Sequence, residues 1–121
     1  MPTPRQRIGE LGEDAAANHL RSRGFVVLRR NYHSRYGEID IIARDAQTLL
    51  FVEVKARSEA MWGTPAQAVT PEKQRKIILT AERYLLENPL ELQPRFDVAE
   101  IFLDSGGRPV KLRWIKNAFG A

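Results

Sequence analysis

The alternation of apolar and polar positions predicts seven elements. Ile8, Leu11, Ala15 and His19 recur at helical spacing between Ile8 and about Arg23, and Gly24 is placed to end that helix. Phe25 to Arg30 reads as a strand. "EIDIIAR" (Glu38 to Arg44) and "LLFVEVKAR" (Leu49 to Arg57) read as two more, joined through Asp45-Ala46-Gln47-Thr48 into an antiparallel hairpin. Thr70 can cap a second helix, with Pro71 at its first position and Glu72 near its positive dipole end. Ile77, Ile78, Ala81, Tyr84 and Leu85 give this helix a buried stripe, and Asn88-Pro89 stops it. Two closing strands, about Arg95 to Leu103 and Val110 to Lys116, flank a turn at Ser105-Gly106-Gly107. The order αβββαββ predicts an α/β fold, with a mixed sheet and helices packed on it.

The hairpin register makes the polar residues of these strands informative. If the turn is symmetric about Ala46-Gln47, Asp40 faces Glu53 and Glu38 faces Lys55. Facing residues have Cβ atoms about 4.5 to 5.5 Å apart, where like charges are destabilising. Two carboxylates so placed need a cation or a shared proton. The same register collects Ile39, Ile41, Ala43, Leu50, Val52 and Val54 on one apolar face. The other mixes Ile42 and Phe51 with Glu38, Asp40, Glu53 and Lys55. Alternating charge in "VEVKAR" alone is also what a half-exposed antiparallel strand looks like. The opposed Asp40 is what argues for a site. In the first helix, Glu13 flanks the buried stripe and can lean toward the sheet, whereas Glu10 points outward. A plain surface charge is the alternative for Glu13.

Composition removes several classes of chemistry. With 121 residues, 43% hydrophobic and 28% charged, the chain suits one globular domain over 1–121. There is no cysteine, and His19 and His33 are the only imidazoles, so thiolate zinc sites, a cysteine nucleophile and a three-histidine zinc centre are excluded. No Gly-x-Ser-x-Gly or phosphate-cradling glycine loop occurs, and "DSGGRP" reads as a hairpin turn. The N-terminus lacks a leader-like apolar run and no stretch is long enough to span a bilayer, so a soluble cytoplasmic protein is expected.

The net charge of +4 permits a polyanionic partner. Arg5, Arg7, Arg21, Arg23, Arg29, Arg30 and Arg35 precede Gly37 against only Glu10, Glu13 and Asp14. A solvated basic face and a phosphate-binding one both fit that distribution. Lys73, Gln74 and Arg75 open the second helix, where backbone N–H groups and the dipole favour phosphate, a merely solvated turn being the alternative. Arg30, Arg35, Arg57, Lys73, Gln74 and Arg75 are the nucleic-acid-binding candidates. Tyr32 and Tyr36 can stack on unpaired bases, Trp62-Gly63 can form a loop over a substrate or anchor the core, and Arg95 and Asp97 suit a structural salt bridge or a supporting role.

A helical acid in "GELGEDAA", then "GEID", then "EVK" resembles the PD-(D/E)XK nuclease superfamily, matching at Asp40, Glu53 and Lys55. "RRNYHSRYGEIDIIARD", "LLFVEVKARS", "WGTPAQAV" and "RFDVAEI" resemble more closely the YraN family of small bacterial relatives of Holliday-junction resolvases. The resemblance implies a restriction-endonuclease-like αβββαβ core and a divalent-metal-dependent nuclease. Its substrate would be DNA, with RNA left open, and branched or recombination intermediates are candidates. "GEID" stands where the superfamily has Pro-Asp, which leaves Glu38 as an additional candidate ligand.

The chemistry fits the residues as well. Phosphodiester hydrolysis needs an activated water and stabilisation of developing negative charge, and Mg²⁺, or Mn²⁺ in its place, supplies both. Asp40 and Glu53, with the Val54 carbonyl, would hold the ion, Lys55 would orient water or stabilise charge, and Glu13 would be a further catalytic acid. Resolvase-like cleavage requires two sites, hence a homodimer. The alternatives are a nucleic-acid-binding protein keeping the fold without turnover, and a glycosidase using Asp40 and Glu53, which a basic surface and an adjacent lysine disfavour.

Overall fold

The computed structural model describes residues 1–62 and 69–120. Helix α1 (Pro4–Ser22) starts a turn earlier than the apolar spacing predicts. Thr3 caps it: its hydroxyl accepts from the Gln6 N–H while the Gln6 side chain accepts from the Thr3 N–H, and Pro4 occupies a first-turn position that needs no donor. Strands β1 (Val26–Ser34), β2 (Gly37–Arg44) and β3 (Thr48–Arg57) follow. A short 3₁₀ turn at Glu59–Met61 comes next, then helix α2 (Pro71–Glu87) and strands β4 (Gln93–Leu103) and β5 (Pro109–Phe119). The α2 cap is the expected one, with the Thr70 hydroxyl accepting from the Lys73 N–H.

The five strands form one sheet in the order β1-β2-β3-β4-β5. Tight turns join β1 to β2, β2 to β3 and β4 to β5, and these pairs are antiparallel. The β3–β4 connection runs through α2, so that pair is parallel. The sheet is therefore mixed and the fold α/β, as in restriction-endonuclease-like proteins. Asp45 builds the β2–β3 turn by accepting the N–H groups of Gln47 and Thr48, which hold its carboxyl below the usual range.

Each face of the sheet carries one helix. On the first, Ala16, Ala17 and Leu20 of α1 pack on Ile41, Ala43, Leu50, Val52, Ala99 and Ile101. The α1 stripe is turned from the expected one: Gly12, Ala16, Ala17 and Leu20 are buried, while Ile8, Leu11, Ala15 and His19 lie at its margins. The cause is close approach. A Cβ at Gly12 would stand 2.5 Å from the Ala56 Cβ, so the bare helix backbone at Gly12 sits against that methyl of β3. On the second face, Ile77, Ala81 and Tyr84 of α2 pack on Tyr32, Ile42, Leu49, Phe51, Phe96 and Val98. No helix among the described residues is long and apolar enough to cross a membrane.

Ile39 belongs to this second cluster and not to the Ile41 face on which strict alternation puts it. The change of face has a visible source. Asn31 has a left-handed φ of 52° at the β1 position across from Asp40, between the Arg30–Ile41 and Tyr32–Ile39 pairs. Beyond that point Tyr32 and Ile39 both turn under α2.

Candidate functional site

The sheet splits where its charged residues gather. The expected hairpin register holds from Arg44–Leu49 to Ile41–Val52 and then stops. The expected Asp40–Glu53 and Glu38–Lys55 pairs do not form, because continuing the ladder would press two acids together. From Gly37 to Asp40, β2 follows β1; beyond Val52, β3 follows β4. The result is a notch with Glu38 and Asp40 on one arm and Glu53 and Lys55 on the other. Asp40 reaches across it, its Oδ2 accepting the Val54 N–H at 2.8 Å. A strand residue presents its N–H and C=O to the same edge, so the Val54 carbonyl also faces the notch.

Asp40 is held far from its ordinary ionisation. Burial, then the nearby Glu53 charge, raises its carboxyl to about 7; the Val54 N–H works against this, while Glu13 and Glu38 add to it. Glu53 is 8% exposed, and its Oε1 lies 2.6 Å from the Lys73 Nζ of α2. Burial draws the Lys73 ammonium down, but the Glu53, Asp40 and Glu38 charges outweigh that and leave its pKa raised. Lys55 is half-buried on the same arm and has no ion pair among the described residues.

The helical acids separate as their spacing suggests. Glu13 lies half-buried, 3.4 Å from an Arg30 nitrogen, and burial raises its carboxyl against the pull of that guanidinium. Glu10 is exposed and faces Arg7 at 3.8 Å. Arg30 also binds Asp14 at 2.8 Å, so this phosphate-binding candidate is already held by α1 carboxylates.

The other basic candidates divide sharply. Arg35 and Arg75 are exposed, and Arg35 lies over the Tyr36 ring with its Nη2 donating to the tyrosine hydroxyl. Arg57, expected at a surface, is instead 7% exposed and bonded to Glu100 at 3.2 Å, with Arg113 on the other Glu100 oxygen. Lys73, expected on phosphate, is on Glu53. Gln74 donates to the Val69 carbonyl and so braces the start of α2.

Tyr32 is not available for base stacking, being buried edge-on to Tyr84 with its hydroxyl donating to Glu87. Trp62 is 41% exposed and donates to the Arg57 carbonyl; its neighbour Gly63 lies outside the described residues. Asp97 is fully buried and accepts from Arg95, the Trp114 indole and the Asn117 N–H, a structural knot tying β4 to β5.

One site-shaping contact and one site-shaping residue escape a reading of motifs. Lys73, a phosphate candidate by sequence, stands one turn before Ile77 on the inward side of α2, and that i, i+4 spacing is the signal that could have pointed it to Glu53. Gly12 has no apolar side chain to register, yet its close approach to Ala56 fixes where the following Glu13 stands.

The donor set suits a hard divalent ion. Among the described residues, no three His, Asp or Glu side chains are grouped closely enough to enclose a metal. Mg²⁺, however, is commonly held by one or two carboxylates and several waters. Asp40 Oδ1 makes no hydrogen bond among the described residues, and Asp40 with Glu53 concentrates negative charge that a cation would relieve.

Comparison with known proteins places the chain in a family. The family model described as "Uncharacterised protein family UPF0102" matches residues 12–101. A UPF0102 protein of Desulforapulum autotrophicum is 45% identical over 98% of both chains. One from Dictyoglomus turgidum is 44% identical over 94% of this chain and 98% of its own. A third, from Clostridium botulinum strain Loch Maree, is 40% identical over 93% of both. With matches of this extent, the chain belongs to the UPF0102 (YraN) family of the PD-(D/E)XK nuclease-like superfamily.

Proposed function

We infer that the protein is a divalent-metal-dependent nuclease that hydrolyses DNA phosphodiester bonds at the notch between β2 and β3. The observation that carries this reading is Asp40, raised to about 7 by burial and by Glu53, at the point where β2 and β3 part, with Lys55, which has no ion pair among the described residues, on the facing arm. Two acids held this close have poor structural value and suit a cation, and a lysine on the same strand suits a phosphate.

Asp40, Glu53 and the Val54 carbonyl would hold Mg²⁺ or Mn²⁺. The bound ion would lower the pKa of water and neutralise charge on the phosphoryl oxygens. Lys55, half-buried on the β3 arm, would donate to the phosphate or to the attacking water. Glu13, already raised by burial, can accept a proton on the α1 side. Arg35 and Arg75, both exposed, would contact the backbone of the nucleic acid.

A nucleic-acid-binding protein without turnover is the second reading, favoured by Lys73, which already neutralises Glu53. One assay separates them. Single-stranded, duplex, flapped and four-way DNA, with matched RNA, are incubated with Mg²⁺ or Mn²⁺, using Glu53→Ala as control. Cleavage of any substrate that Glu53→Ala abolishes supports the nuclease. Salt-sensitive binding with no cleavage by the wild type supports the binding protein.

A further inference from the structure

Glu53 is a buried carboxylate whose one ionic partner among the described residues is Lys73. The root of that lysine is fixed: its N–H donates to the Thr70 hydroxyl, and Gln74 beside it donates to the Val69 carbonyl. The tip is not, since the side chain is 49% exposed on a flexible four-carbon stem. A buried carboxylate requires a cation, and here the cation comes from a residue that can leave without unfolding its helix. A divalent ion taking up Glu53 would meet the ammonium at contact distance, and two cations do not share one oxygen without strong repulsion.

Resting on the metal-site reading above, we propose that Lys73 is an exchangeable counter-ion: it neutralises Glu53 while the metal is away and, displaced by the metal, becomes a phosphate contact for the incoming nucleic acid. The exchange gives the site an order of loading. Before the metal enters, Lys73 is engaged by Glu53. Afterwards a cation is released at the first turn of α2, where the helix dipole and backbone N–H groups also favour phosphate. Lys55 does not take this part, because it pairs with no carboxylate among the described residues.

Calorimetric titration with Mg²⁺ and with Mn²⁺ alone tests the first half, on wild type, Lys73→Met and Lys73→Arg. Lys73→Met should bind the ion about tenfold more tightly, a modest fraction of the repulsion between close charges in a half-exposed site, and Lys73→Arg should stay near wild type. The second half is tested on a short DNA duplex in Ca²⁺ and in EDTA. In Ca²⁺ the log-log salt slope of Lys73→Met should be smaller than that of wild type by about 0.9, the value for one phosphate contact; in EDTA the slopes should coincide. Equal metal affinities for wild type and Lys73→Met, or an arginine variant as tight as the methionine one, would overturn the exchange. A slope difference equally large in EDTA would make Lys73 an ordinary phosphate contact and overturn it too. A wild type that binds none of the ions would overturn the metal site itself, and this inference with it.

Discussion

Replacing Asp40 by asparagine removes the charge that the notch resists most and keeps an oxygen for the Val54 N–H. The folded protein holds the Asp40 proton up to about pH 7, whereas the unfolded chain releases it near pH 4. Between those values the folded state binds more protons than the unfolded one, so stability falls as pH rises through this window and levels off above it. A carboxyl raised to about 7 makes the ionised form cost about 4 kcal/mol by pH 8 relative to the protonated form. Asp40→Asn should therefore match the wild type within about 1 kcal/mol at about pH 3, where Asp40 is protonated in the folded and the unfolded chain alike. At pH 8 it should be the more stable protein by up to about 4 kcal/mol. Urea unfolding at both pH values, followed by the fluorescence of Trp62 and Trp114, reads the difference. Mg²⁺ or Mn²⁺ should stabilise the wild type at pH 8 and leave the variant unchanged. A variant that lost stability at pH 8, or that kept the wild-type dependence on pH, would refute the account of Asp40 as an electrostatically strained ligand.

Three further outcomes follow from other contacts. Gly12→Ala should lower stability by about 1 to 3 kcal/mol, because its Cβ must displace α1 from Ala56, and a thermal melt will show it. Glu100→Ala should cost about 3 to 5 kcal/mol in urea unfolding, since it removes a buried carboxylate from two guanidinium groups. Lys55→Met should leave folding and metal binding intact by calorimetry while abolishing cleavage in the DNA panel, because this lysine makes no ion pair among the described residues.

Local rules made most of the fold legible. Thr70 and Pro71 gave the start of α2, and the symmetry of the Asp45–Thr48 turn gave the β2–β3 register for every pair that forms. The failures lie where the backbone leaves its regular geometry. Asn31 adopts a left-handed φ that no periodicity reports, and it turns Tyr32 and Ile39 to the face opposite the one alternation assigns. The α1 stripe was displaced because small residues, Gly12, Ala16 and Ala17, make the closest approach, and apolar spacing weights larger side chains. At the candidate site, the acids and Lys55 could be picked out by type and spacing. Which basic residues are engaged by an acid could not, because Arg57 and Lys73 are committed by partners distant in sequence, Glu100 and Glu53.

The bond from the Val54 N–H to Asp40 gives the notch an internal reporter. A strand amide normally exchanges its hydrogen for solvent deuterium only when its ladder opens. Val54 is held by a side-chain carboxylate in place of a ladder partner from β2, and the ionised acceptor binds an N–H more strongly than the neutral one. Its protection should thus follow the charge on a single oxygen, and its amide resonance should shift as Asp40 titrates or is drawn toward a cation. One backbone nitrogen signal would then register the state of the site without any substrate being turned over.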